Sequence, residues 1–428
     1  MSGMRAVATP EADGRADLRR AALLTGLWVA VVAFLQWNAW APDLSALYIA
    51  GHFWHQGDMA LVYAAPPGFF GGPAAAWRPF IAAIAPPGET AFPFVYPPLW
   101  AALMAPVTAL MNVTQFANLM TLVHAGLLGA SVHLAGRLAR PAALPLWGWT
   151  ALGLAILSAS SAGYTALSLN QPTIVTAFLT LLFLERLQAG RPETAGVALA
   201  LAAALKLSPA LFAVVLVADR QFRALAAFAL AGVLLACASL ALGGWEMHRA
   251  FLTLTEAIGQ SSLLAVVNLS LKPALLALAS TLGFVAADPT QPLIVFPAPP
   301  RWAGEVASLC LLATIAGALA LLRGRRGERA RLQLALVLAI AVPLFGPLGW
   351  AHYYIVPLLL MPGFLAGLPR GRALASAIGL LAVSFTPAIR FLDLLPWPTA
   401  NFVWAACLVW LALLAQVLWQ MRTPRRNV

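Results

Sequence analysis

The chain has 428 residues, 61% of them hydrophobic and 10% charged, with a mean hydropathy of +0.84. A soluble domain carries about 25% charged residues and a disordered chain few apolar ones, so this composition excludes both an ordinary soluble enzyme and a disordered polymer. The formal charge is +11, yet the arginines stand between long apolar runs, which marks them as topology determinants and argues against a nucleic-acid partner.

The first apolar run, Ala21 to Trp40, follows Arg15, Arg19 and Arg20. Its basic flank predicts an uncleaved span with the amino terminus, residues 1–20, in the cytoplasm. A first external loop is expected over 42–91, rich in Pro, Gly and aromatics with Arg78 as its one base. Within it, Leu44, Leu47, Tyr48 and Phe53 recur at helical spacing, which predicts a helix lying on the membrane surface. Phe94 to Met111, interrupted by Pro97, Pro98 and Pro106, reads as a surface or re-entrant helix.

Further apolar candidates run over 115–136, 143–162, 172–186, 194–218, 224–243, 302–322, 331–347, 350–368, 372–390 and 399–420, with a second external loop over 244–270. The run from Leu271 to Ala286 is short and polar at its start. The expectation is an all-α polytopic membrane protein of about 11–13 membrane segments, its transmembrane domain over 21–420 and a basic cytoplasmic tail over 421–428.

This assignment puts Arg137 and Arg140, Arg186 and Arg191, Arg220 and Arg223, the run Arg323 to Arg331, Arg370 and Arg372, and the tail Arg422, Arg425 and Arg426 on one side. It requires 194–218 to enter and leave on that side, as two short helices broken at Lys206-Leu207-Ser208-Pro209. Pro209 disfavours helix at Ser208, and a mid-membrane lysine is costly unless it meets water or an anion. Asp43, Tyr96, Tyr164, Asn170, Gln171, Lys206, Asn268 and His352 then gather toward the outer face.

No phosphate-binding glycine loop, zinc-ligand pair or nucleophile elbow is present. His52 and His55 share a helix face without a third ligand nearby, and Cys237, Cys310 and Cys407 lie inside apolar runs as core residues. Asp43 is either an N-cap or a carboxylate held for chemistry at the membrane boundary. Lys206 suits an anion, since a lysine that merely snorkels belongs at a span's end. Asn170 before Pro172 reads equally as a helix cap. Asn268-Leu269-Ser270 reads as a glycosylation sequon or a cap before Pro273. Trp350, His352, Tyr353 and Tyr354 have the alternative of an interfacial aromatic belt.

In this order the motifs resemble the polyprenyl-phosphate-dependent glycosyltransferases of the GT-C superfamily, specifically glycosyltransferase family 87. The resemblance rests on Asp43 with Tyr48, Gly57 and Tyr63, then Tyr96-Pro97-Pro98-Leu99, Asn170-Gln171, and Ala195-Gly196 leading to Lys206-Leu207-Ser208-Pro209. Asn268-Leu269-Ser270-Leu271 and Trp350-Ala351-His352 complete it. The family often has Gly-Gln at Asn170-Gln171 and an aromatic at Leu44. The resemblance implies a GT-C-type bundle that transfers a hexose, typically mannose, from a polyprenyl-phosphate sugar to a glycan or glycolipid acceptor on the outer face. It assigns Asp43 as catalytic base and sets Tyr48, Tyr96, Asn170, Gln171, Asn268 and His352 about the substrates.

The residue chemistry agrees: a carboxylate must take the acceptor proton and a cation must meet the departing phosphate, roles that fit Asp43 and Lys206. A single carboxylate on the attacking side implies inversion. No cofactor or metal ligand is expected, and dependence on a divalent ion is left open. The partners expected are the lipid donor, the acceptor and membrane lipid; the Arg- and Ala-rich composition points to a bacterial inner membrane, with the site facing the periplasm. The competing readings are a transporter or flippase of a lipid-linked sugar and a structural membrane subunit.

Overall fold

The computed structural model describes residues 10–66, 70, 72–288, 291, 293–387, 389 and 399–422. Residues 1–9 of the amino-terminal tail, parts of the first external loop, positions 388 and 390 of the 372–390 segment, and Arg425 and Arg426 therefore lie outside the described residues. The protein is an all-α polytopic membrane protein. Its helices are α1 (Pro10–Gln36), α2 (Pro42–Gln56), α3 (Met59–Val62), α4 (Arg78–Ile84), α5 (Pro98–Leu110), α6 (Val113–Ala139), α7 (Leu146–Ala159), α8 (Ser161–Ser168) and α9 (Thr173–Gln188). They continue as α10 (Pro192–Leu205), α11 (Ala213–Ala218), α12 (Phe222–Gln260), α13 (Leu271–Thr281), α14 (Arg301–Leu321), α15 (Glu328–Phe345), α16 (Ile355–Leu365), α17 (Arg370–Ser384) and α18 (Thr399–Arg422). A two-stranded antiparallel ribbon pairs β1 (Ser262–Leu264) with β2 (Ile294–Phe296), Ser262 opposite Phe296.

Among the described residues, five helices are long and apolar enough to cross a bilayer alone: α1 from Gly14, α6, α12, α14 and α18. Several of the other apolar segments are shorter than the sequence suggests, for local reasons. Ser160 ends α7 and caps α8 by accepting from the Gly163 amide at 3.1 Å, which splits the expected 143–162 span. The 350–368 run opens as a 3₁₀ turn over Ala351–Tyr354 before α16 begins. Leu271–Thr281 is helical despite its polar start, because Lys272 turns its ammonium onto the carbonyls of Gly259 and Ser261, both at 2.8 Å. The second external loop holds the last turns of α12, which bends at Gly244 (φ 65, ψ 177), a left-handed position suited to glycine.

The basic segments meet at one end of the bundle. Glu185 pairs with Arg137 at 2.8 Å and Arg186 at 2.5 Å, Arg223 with Glu193 at 2.5 Å, and Arg331 with Asp219 at 2.8 Å. Arg325 donates to the Met421 carbonyl. The Arg223–Glu193 pair joins the two ends of 192–222, so this stretch enters and leaves on the same side. Its break lies where expected: α10 stops at Leu205, Lys206 is extended (φ −141, ψ 133), and Ser208–Phe212 turns back as a 3₁₀ helix into α11. With 14 residues, α10 lifts Lys206 roughly 20 Å above the basic end.

The opposite end carries a cap built from α2 to α5. The sequence predicts a surface helix for α2, and the structure shows what its apolar side packs against. Leu44, Ile49 and Phe53 are buried in a core with Trp77, Ile81, Phe94 and Met104. Gly51 lets α5 come this close, since a Cβ there would sit 2.6 Å from Met104 Cβ. The apolar stripe of α2 thus faces protein, and the helix is held firmly enough to position a side chain.

Candidate active site

Asp43 does not cap α2. Ala41 holds the N-cap position, Pro42 opens the first turn, and Asp43 follows inside it. The carboxylate is half-buried and accepts from Gln171 Nε2. Gln171 Oε1 accepts from Thr173 Oγ1 at 3.2 Å, and Thr173 Oγ1 accepts from Lys206 Nζ at 2.5 Å. Lys206 also donates to Tyr353 Oη at 3.3 Å and stands 4.5 Å from the Tyr353 ring centroid and 5.8 Å from that of Tyr96. Every proton in this chain points from the ammonium toward the carboxylate. The charges at its two ends fix the orientation of the Gln171 amide and the Thr173 hydroxyl between them, and each bond polarises the next.

Among the described residues no ion pair within 4.0 Å joins Asp43 to Lys206. The two charges interact through space. Burial is the largest influence on Asp43 and raises it from 3.8 to about 6, against the opposing pull of Lys206 and the Gln171 bond. A carboxyl held there is ionised at neutral pH yet basic enough to accept a proton, as a general base requires. Lys206 stands where α10 ends and α9 begins, so its charge adds to the first amides of α9 in favouring an anion. Below it an apolar cleft runs between α9 and α15, lined by Ala177, Phe212, Leu338, Val342 and Val356.

Of the other expected residues, Tyr96 and His352 lie near Lys206 and the rest do not. Tyr96 is buried beneath the ammonium, its backbone carbonyl accepting from Tyr63 Oη at 2.7 Å. His352 is buried edge-on against Tyr353 at 4.9 Å, and its Nε2 has no hydrogen-bond partner among the described residues. Tyr48 does not join them. Five positions from Asp43 on one helix, it points about 140° away, and its hydroxyl donates to the Met111 carbonyl at 3.0 Å. Tyr164 is 43% exposed.

Asn170 does not N-cap α9; it closes the end of α8, its backbone amide bonding to Leu167 O at 3.1 Å and the Gln171 amide to Ala166 O at 2.8 Å. It adopts φ 47, and its buried side-chain amide accepts from His124 Nδ1 at 2.6 Å while donating to Ala117 O and Thr121 Oγ1, each at 3.0 Å. This left-handed turn sets Gln171 against Asp43. Asn268 is fully buried, which excludes it as an accessible sequon. Its amide accepts from Ser270 Oγ at 3.0 Å and the Gly349 amide at 2.9 Å and donates to Leu263 O at 2.7 Å. Asn268 therefore fastens its loop to Gly349 and Trp350, which lead into the 3₁₀ turn that carries His352 and Tyr353. Tyr48, Asn170 and Asn268 thus bond to backbone and to neighbouring side chains, and not to Asp43 or Lys206.

Sequence reasoning passed over Thr173, Tyr353 and His124. Thr173 stands two residues beyond Gln171, and Tyr353 was hidden in an aromatic cluster. His124 is one polar residue in a long span, where partners are otherwise scarce. His52 stacks on Phe80 at 4.0 Å. Among the described residues no group of three His, Cys, Asp or Glu side chains gathers to hold a metal ion.

No curated protein matches the chain. The model of glycosyltransferase family 87 matches residues 94–347, more than half of it. Tyr96, Asn170, Gln171, Thr173, Lys206 and Asn268 lie within that stretch; Asp43 precedes it and His352 follows it, so both enter the site by folding against the matched core. With a cleft of this build carried largely by the matched segment, the chain belongs to glycosyltransferase family 87 and is a multi-pass membrane glycosyltransferase.

Proposed function

We propose that this glycosyltransferase moves a hexose, with mannose the first sugar to test, from a polyprenyl-phosphate donor to a hydroxyl of a glycan or glycolipid acceptor. The acceptor oxygen attacks the anomeric carbon as Asp43 takes its proton. The bond from that carbon to the phosphate oxygen breaks, and its electron pair leaves with the polyprenyl phosphate. Lys206 meets the charge that develops there. The attack and the departure lie on opposite faces of the sugar, so the anomeric configuration inverts. By the positive-inside rule the cleft faces the periplasm of a bacterial inner membrane.

One observation carries this reading: a half-buried carboxylate and a lysine stand at the two ends of one chain of hydrogen bonds without pairing directly. A structural ion pair would close the gap between them, whereas a two-substrate site needs it open. The apolar cleft below Lys206 supports a lipid-borne phosphate over a soluble one. The test is transfer of radiolabelled mannose and glucose from polyprenyl-phosphate donors by the purified protein, with the anomeric configuration of the product read by NMR. Absence of transfer from either donor, or retention of configuration, would sink the proposal.

A further inference from the structure

At the basic end of the bundle, far from the cleft, α11, α14 and α15 enclose a second cavity of about 210 Å³. Five arginines line it, Arg220, Arg323, Arg325, Arg326 and Arg331, with Asp219 as the one acid. Asp219 is already neutralised: it accepts from Arg331 at 2.8 Å, from the Gly327 amide at 3.0 Å and from Gln221 at 2.9 Å. Arg325 is spent on the Met421 carbonyl. Arg220, Arg323 and Arg326 remain, and among the described residues none of them has an acid within 4.0 Å.

Topology alone does not require this arrangement. Arginines that only orient spans have no reason to converge on one cavity. Arg220 ends α11 in the left-handed region (φ 55), a position where glycine is the usual and cheaper residue. Gly324, in the turn after α14, takes that conformation with φ 77. A backbone strain is thus borne at Arg220, and its residue lines the cavity. The flanking spans say what reaches it. Only 6% of the apolar window of α12 and 11% of that of α14 is buried within the protein, so both helices stand among lipids. Leu319 and Leu322 form the cavity's apolar wall at the level where α14 ends.

We infer that this cavity binds a phosphate-bearing anion, held by the guanidinium groups of Arg220, Arg323 and Arg326. Planar guanidinium forks match phosphate oxygens, and basic pockets between spans at the cytoplasmic surface suit anionic headgroups. The same chemistry is presented by a phospholipid headgroup and by free inorganic phosphate. The site is separate from the cleft of Asp43 and stands whether or not the donor proposed there is correct.

The experiment uses the full chain, delipidated in neutral detergent. Phosphatidylglycerol, phosphatidylcholine and sodium phosphate are titrated separately at constant ionic strength, reading the thermal midpoint, with native mass spectrometry counting retained lipid. Phosphatidylglycerol is expected to raise the midpoint and to remain bound where phosphatidylcholine does not. R220Q/R323Q/R326Q should weaken that binding on the order of a hundredfold, and R220K/R323K/R326K only in part, because charge is kept and the fork is lost. R15Q/R19Q/R20Q removes the same charge elsewhere on the basic end and should change little. Protection by sodium phosphate alone upholds the pocket and makes its ligand the soluble ion. Equal weakening by the two glutamine triples, or protection by neither anion, overturns the inference. Should the first glutamine triple not fold, Arg323→Gln and Arg326→Gln singly, each set against Arg19→Gln, give the same comparison.

Discussion

Asp43→Asn separates chemistry from structure at the cleft. Burial raises the carboxyl from 3.8 to about 6, so it is roughly 90% ionised at pH 7 and roughly 10% at pH 5. A wild-type enzyme using this group as base should therefore lose about tenfold in kcat/KM between those values. The sign for stability runs the other way. A carboxyl raised on folding contributes stability that is full below about 4 and is lost as the pH rises through about 6. The ionised form at pH 7 is disfavoured by up to roughly 3 kcal/mol. Asparagine removes this penalty, keeps an oxygen for Gln171 Nε2 and leaves the Ala41 cap untouched. The variant should unfold at the wild-type temperature or above it at pH 7, bind donor, and turn over roughly 10²–10⁴ times more slowly. Thermal midpoints across pH 4–8 and transfer of labelled sugar measure both effects on one preparation. Wild-type turnover in a folded, donor-binding variant would refute the assignment of the base, and a wild-type midpoint that climbs with pH relative to the variant would refute the account of its burial.

Lys206→Ala should raise the donor KM and lower kcat, while Lys206→Arg retains part of the activity because charge is kept and geometry is not; unchanged donor kinetics for Lys206→Ala would leave it a structural lysine. His124→Leu strands the buried Asn170 amide oxygen and should cost roughly 1–3 kcal/mol in stability, read as a lowered midpoint, with turnover falling as Gln171 loses its fixed turn. On a background with Cys237, Cys310 and Cys407 replaced by alanine, Glu89→Cys should react with an impermeant thiol reagent added outside intact cells. Arg191→Cys, at the basic end, should react only after permeabilisation; the reverse pattern would invert the orientation.

The amino-acid sequence by itself determined what is set locally or by summed composition. Apolar runs must hide from water, arginines resist translocation, and Pro209 cannot donate the bond that would carry α10 through Lys206; membrane class, a single basic end and the break all follow. The polar residues of the cleft were legible as a set, because each is expensive in an apolar chain and needs a reason to be there. Their roles were not. Asp43 and Gln171 are 128 positions apart, Thr173 and Lys206 33, Lys206 and Tyr353 147. A cap and a base, or an N-cap and a strained turn held by His124, look alike in sequence, since Asp and Asn suit both. Only the packing of α2 beneath α5, and of α9 between α6 and α10, decided which partner each side chain meets. Those contacts are non-local, and a buried polar group takes its function from whatever the fold places within hydrogen-bond reach.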